Sequence, residues 1–153
     1  RRGPAGRGAM ALNLIKLCVG VETVEELADW IALKQAERRA RSEPAEQIHT
    51  TRMSPKRRDE LLDGGSLYWV IKGFVQVRQR LVDLREFTDE AGISRCRIVM
   101  EPVLHATEMQ PRRPFQGWRY LTAKDAPRDL PKGGGADGID PEMARALSEL
   151  GLL

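Results

Sequence analysis

The hydrophobic pattern alternates between two periods along the chain. ALNLIKLCVG, from Ala11 to Gly20, is nearly all aliphatic and closes on a glycine, which predicts a buried strand. In TVEELADWIALKQAERRARS the apolar residues Val24, Leu27, Ala28 and Ile31 fall on one face at helical spacing. Thr23 and Glu26 form a capping box ahead of them, and Pro44 ends the segment. IHTTRM is β-branched and predicts a strand. SPKRRDELLDGG has Ser54 as N-cap, Pro55 at the first helical position and Gly64 as stop, which predicts a helix over 54–64.

From Ser66 the composition shifts to β formers. In SLYWVIKGFVQVRQRLVDLREF, Val75 and Val77 alternate with Gln76 and Arg78, and Gly73 marks a bend or bulge. Phe74, Val77 and Leu81 also fit helical spacing, so the pattern alone leaves both periods open. TDEAG is a turn, and SRCRIVMEPVLHAT, broken by Pro102, is a second long strand that makes a hairpin with the first. GWRYL predicts a short strand. PKGGGADGI, at 131–139, is a flexible linker. DPEMARALSELGLL, at 140–153, is a closing helix with Asp140 as cap, Pro141 at its first position, and Met143, Leu147 and Leu150 facing the domain. This order predicts an α+β fold: a small mixed β-barrel or curled sheet with flanking helices, a single domain at 10–130, and the last helix docked on it.

Composition adjusts this picture. The chain has 153 residues, enough for one domain with its own core. No apolar run approaches the ~20 residues that span a bilayer, so no membrane partner is expected. RRGPAGRGA, at 1–9, has no apolar stretch of a signal peptide and reads as a tag or mis-started tail, with Met10 as the native start. Three of the 25 basic residues lie in that tail, and the remaining 22 balance 22 acidic ones, so bulk charge does not argue for nucleic acid. Cys18 and Cys96 stand in separate apolar stretches and read as buried free thiols of a cytoplasmic protein. No CxxC or HxxxH spacing, Walker loop or GxSxG occurs, and the GGGADG of the linker lacks the strand-to-helix setting of a phosphate loop, so no metal, cofactor or catalytic residue is indicated.

Two segments depart from the pattern of a solvated surface. In 54–64, Lys56, Arg57 and Arg58 would occupy the first helical turn, with Asp59, Glu60 and Asp63 after them, the reverse of what the helix dipole favours. A bound anion such as phosphate would offset that, and Arg52 lies just upstream. Solvated or paired cations are the plain alternative. PRRPFQGWRYL, at 111–121, is the second. Arg112, Arg113 and Arg119 can fork onto phosphate or carboxylate, Phe115 and Trp118 offer faces on which bases stack, and Pro111 and Pro114 stiffen the loop. Trp118 and Tyr120 share one face of an extended chain and fit core packing equally well. Tyr68 is a further stacking candidate, with Trp69 on the opposite face of its strand.

MALNLIKLCVG, TRMSPKRRDELLDGGSLYWVIKG, CRIVMEP, RPFQGWRYL with DAPRDL after it, and LSELGLL together resemble a family of small, mainly alphaproteobacterial proteins grouped as domain of unknown function 1489. That resemblance carries no activity to transfer. The helix ending in LLDGG and the long strands after it are also similar, at the level of fold, to the PUA-like barrels, including the ASCH and EVE domains that bind RNA or modified bases. The expected function is non-catalytic binding of RNA or a nucleotide, through Arg52, Lys56, Arg57, Arg58, Arg112, Arg113 and Arg119 with Phe115, Trp118 or Tyr68 stacking. The alternatives are a small enzyme acting on an anionic metabolite and a protein-interaction module. The first reading requires the two basic segments to meet.

Overall fold

The computed structural model describes residues 11–131. In chain order it contains β1 (Leu12–Leu17), α1 (Val24–Ala40), β2 (Gln47–Thr51), α2 (Arg58–Leu62), β3 (Ser66–Ile71), β4 (Phe74–Thr88), β5 (Ser94–Met100), β6 (His105–Pro111) and β7 (Trp118–Thr122). The expected linker at 131–139 and closing helix lie outside the described residues, apart from residue 131, as does the tail at 1–9. No helix among the described residues is long and apolar enough to cross a membrane.

One mixed sheet carries all seven strands in the order β2-β5-β4-β3-β1-β7, with β6 paired to β4. Only the β1–β3 pair is parallel. The 15-residue β4 organises the sheet: its first half pairs with β3 and β6, and its second half pairs with β5. Register shifts at Trp69/Val70, Val75/Val77 and Leu81/Asp83 bend it, because an extra residue on one strand of a pair increases local twist. The result is a curled sheet that stays open, so the closed-barrel alternative does not hold.

The alternating pattern is realised on two faces. Leu14 joins the main core with Leu27, Ile31, Leu67, Trp69, Leu81 and Ile98. Its neighbour Ile15 joins a smaller cluster with Tyr68, Val70, Val75 and Leu121. This is why the β1 sequence lacks alternation: both faces are covered. At the start of α1, the Glu26 N–H donates to Thr23 Oγ1 at 3.0 Å. The Glu26 carboxylate accepts from the Glu22 N–H at 2.7 Å, one residue before the cap itself.

Two local expectations are corrected. Gly73 is no bulge in a continuous strand. Lys72 and Gly73 have φ of 54° and 84° and form a two-residue hairpin turn between Ile71 and Phe74, the geometry that matches the twist of antiparallel strands. The helix expected over 54–64 is a five-residue turn, Arg58–Leu62, with Arg57 at its cap position. Ser54 precedes a proline, which disfavours helical backbone there. With the later start, Asp59 and Glu60 fall in the first turn. The charges are then in their normal order, and the reversed-dipole argument for an anion lapses.

Candidate functional site

The two basic segments do approach one another, but through aromatic residues. Tyr120, on edge strand β7, accepts hydrogen bonds at its hydroxyl from the backbone N–H groups of Lys56 (2.9 Å) and Arg57 (3.3 Å). Trp118 donates from its indole to the Met53 carbonyl at 2.9 Å. The Trp118 and Tyr120 rings meet edge to face at 5.0 Å, and the Arg57 guanidinium lies 5.5 Å from the Tyr120 ring centre. The N–H groups expected to hold an anion are therefore occupied by a tyrosine hydroxyl.

The cations of this segment are also largely partnered. Arg57 makes a forked contact with Glu60 at 2.7 and 2.8 Å. That contact lowers the Glu60 carboxyl from its ordinary range and raises the guanidinium. Arg58 pairs with Asp83 at 2.6 Å and also donates to the Leu84 carbonyl. Arg52 donates to the Ser94 carbonyl at 3.1 Å. Lys56 is exposed and has no carboxylate partner among the described residues. Tyr68 is only 4% exposed and belongs to the smaller core cluster, so it has no ring face to offer a base.

Arg112, Arg113 and Arg119 lie on the other face. Alternation along β7 sends Trp118 and Tyr120 toward segment 53–57, and Arg119 and Leu121 toward the smaller cluster. There an open groove is lined by Ile15, Gln110, Arg112, Arg113, Phe115 and Arg119 among others. The Arg119 guanidinium sits 5.1 Å from the Phe115 ring centre and donates to the Gln116 carbonyl at 2.8 Å. Arg112 donates to Gln110 Oε1 at 3.0 Å. Gly117, at φ 69°, turns the chain back into β7. Among the described residues none of these three arginines has a carboxylate partner. Arg38, Arg41, Arg57, Arg58, Arg78, Arg80, Arg85, Arg95 and Arg128 each have one. Lys56 and Arg57 do not line this groove, although Tyr120, whose hydroxyl accepts from their backbone N–H groups, does.

A second concave site was not legible in the sequence. A cavity of ≈ 310 Å³ is lined by residues including Lys16, Cys18, Trp30, Gln47, His49 and Trp69. They come from β1, the loop after it, α1, β2 and β3, and no local motif joins them. His49 meets Trp69 edge to face at 5.4 Å. Trp69 donates from its indole to Gln79 Oε1 at 2.8 Å, and Gln79 donates on to the Glu101 carbonyl at 2.9 Å. Burial, aided by the nearby Lys16 charge, lowers the His49 imidazole to about 4. Burial pushes the Cys18 thiol up to about 12, against the pull of Lys16. At neutral pH the imidazole is uncharged and the sulfur is a thiol rather than a nucleophilic thiolate.

The His49 shift has a consequence for stability. Unfolded, the ring protonates near its ordinary 6.5; folded, it resists until about 4. The unfolded chain therefore binds more protons between these values. Stability is fully present above pH 6.5 and falls as the pH drops toward 4, by at most about 3 kcal/mol and less for a partly exposed ring. Asp83 and Asp89 are held below their ordinary range by arginine contacts and act at lower pH. Urea unfolding at pH 7 and pH 4.5 should show this loss in the wild type and a smaller one in His49→Gln. Equal losses in the two proteins would contradict it.

Fold and site together define an α+β protein with an open curled sheet, a basic groove on one face and an aromatic-lined cavity on the other. By sequence the chain belongs to the family described as Protein of unknown function (DUF1489), whose model matches residues 14–153. No curated protein and no solved structure matches it significantly.

Proposed function

We propose that the protein binds single-stranded RNA, or a nucleotide presenting the same phosphates, without catalysis, through the groove of Arg112, Arg113 and Arg119. One observation carries this reading. Among the described residues, nine of the other twelve arginines pair with a carboxylate, whereas these three, within eight residues of one another, do not. Guanidinium groups left open in this way are suited to forked contacts with phosphate oxygens. Pro111 and Pro114 reduce the entropy lost when the loop is ordered by a ligand. Phe115, half-buried beside Arg119, supplies a flat apolar surface at the groove. Among the described residues the groove's lining contains no carboxylate, histidine or thiol, which supports binding rather than chemistry.

The experiment is fluorescence anisotropy with a labelled single-stranded oligoribonucleotide at low salt. Arg112→Glu/Arg113→Glu is expected to weaken binding at least ~10-fold, because two phosphate contacts become repulsions. Lys56→Glu, which does not line the groove, is expected to change it less than ~3-fold. Equal effects of the two changes would place the binding surface elsewhere.

A further inference from the structure

The groove makes no use of the cavity on the opposite face, and strand β1 divides the two: Ile15 lines the groove and Lys16 lines the cavity. Four features of the cavity restrict what it can hold. Its volume of ≈ 310 Å³ is at the lower end for small-molecule sites, room for one ring system rather than a peptide. Its walls include Trp69 and His49, with Leu27 and Val21 beside them, and Trp30, 41% exposed, at its edge. The Lys34 ammonium lies 5.7 Å from the Trp30 ring centre.

The third feature is an unmet hydrogen bond. Gln47 lines the cavity and is 4% exposed, yet its Oε1 accepts no hydrogen bond. Gln79, the other glutamine of the lining, has both ends of its amide engaged. A buried acceptor left unpaired is costly, and native interiors rarely tolerate one without a reason. A ligand N–H beside Gln47 would satisfy it, and the neutral His49 ring adds one donor and one acceptor. The fourth feature is charge. Lys16 has no carboxylate partner among the described residues and is the cavity's only formal charge at neutral pH. It disfavours a cationic guest and favours an anionic substituent.

We infer that this cavity binds an uncharged nitrogen heterocycle of one or two rings, its N–H donated to Gln47 and its anionic substituent held by Lys16, the chemistry of a nucleoside monophosphate, free or within a strand. The site needs neither Arg112 nor Arg113, so it stands or falls independently of the groove.

The test titrates the full chain with the 5′-monophosphates of adenosine, guanosine, cytidine and uridine, and with a single-stranded oligoribonucleotide, following tryptophan fluorescence and calorimetry. Saturable binding of at least one monophosphate is expected, weakened 10-fold or more in Gln47→Leu. That variant should melt no lower than the wild type, because it removes an unpaired acceptor. Lys16→Ala should weaken the monophosphate more than its parent nucleoside, and this arm holds even if Gln47→Leu fails to fold. A response to the oligoribonucleotide alone, lost in Gln47→Leu, would assign the heterocycle to a strand and uphold the inference. No binding of any probe at millimolar concentration, or binding indifferent to both Gln47→Leu and Lys16→Ala, overturns it.

Discussion

Gly65→Ala is expected to cost about 3 kcal/mol or more, enough to unfold a large fraction of a marginally stable domain. A β-carbon at this position would stand 2.1 Å from the Leu12 carbonyl oxygen and 2.4 Å from that of Leu61. Both obstacles are backbone, so relief requires β1 and the end of α2 to move apart. Gly65 cannot swing away, because its N–H donates to the Leu61 carbonyl at 3.0 Å and its carbonyl accepts from the Leu81 N–H of β4 at 2.9 Å. Gly92→Ala is the comparison. Gly92 has φ +80° but open space around it, so it should lose only the ~1–2 kcal/mol of a left-handed backbone with a side chain. Urea unfolding of the two variants orders them. A smaller loss for Gly65→Ala than for Gly92→Ala would contradict the close approach of β1.

The second large effect is expected at Asp129. Arg78, 3% exposed in β4, is held by a forked contact to Asp129 at 2.8 and 2.7 Å and by Ser66 Oγ at 2.9 Å. Asp129→Ala leaves a buried guanidinium without this carboxylate, a change that typically costs about 3–5 kcal/mol. The same segment pairs with β6: Thr107 bridges Asp129, and the Leu130 N–H donates to the Ala106 carbonyl at 3.0 Å. Losing the carboxylate should therefore release the chain after β7 as well. Arg78→Met/Asp129→Leu is expected to recover more than half of the single-variant loss, since two apolar groups need no partner. Thermal or urea unfolding across the double-mutant cycle measures this, and a double variant no more stable than Asp129→Ala would speak against it.

These two residues show what could be read from the sequence and what could not. LLDGG and DAPRDL stand out as motifs, but the reason for Gly65 is a carbonyl oxygen more than fifty positions upstream, and the reason for Asp129 is a buried arginine 51 residues away. α1 and the strands β1, β2, β5 and β7 are legible because their signals are local, whereas the two periods of 66–87 hide the β3–β4 hairpin, and β6 does not stand out as a strand of its own. The helix that Ser54, Pro55 and Gly64 predict is shorter, Arg58–Leu62, because the proline disfavours helical backbone before it. Backbone donors given to a helix or an anion in that reading are taken by Tyr120, sixty-three and sixty-four positions later. The arginines of PRRPFQGWRYL are visible as a cluster, whereas the absence of a carboxylate partner among the described residues depends on what the β6–β7 connection and β7 pack beside. The cavity around Gln47 and His49 had no sequence signal, since five separate stretches of chain build it.

The most direct test of groove binding is the salt dependence of oligoribonucleotide affinity in the wild-type protein. Three arginine–phosphate contacts predict that log K falls linearly with log salt with a slope of about −2 for a single strand, and that Arg112→Glu/Arg113→Glu flattens it to near −0.7 or less. An affinity independent of salt, or a slope unchanged by the double charge reversal, would contradict binding through Arg112, Arg113 and Arg119.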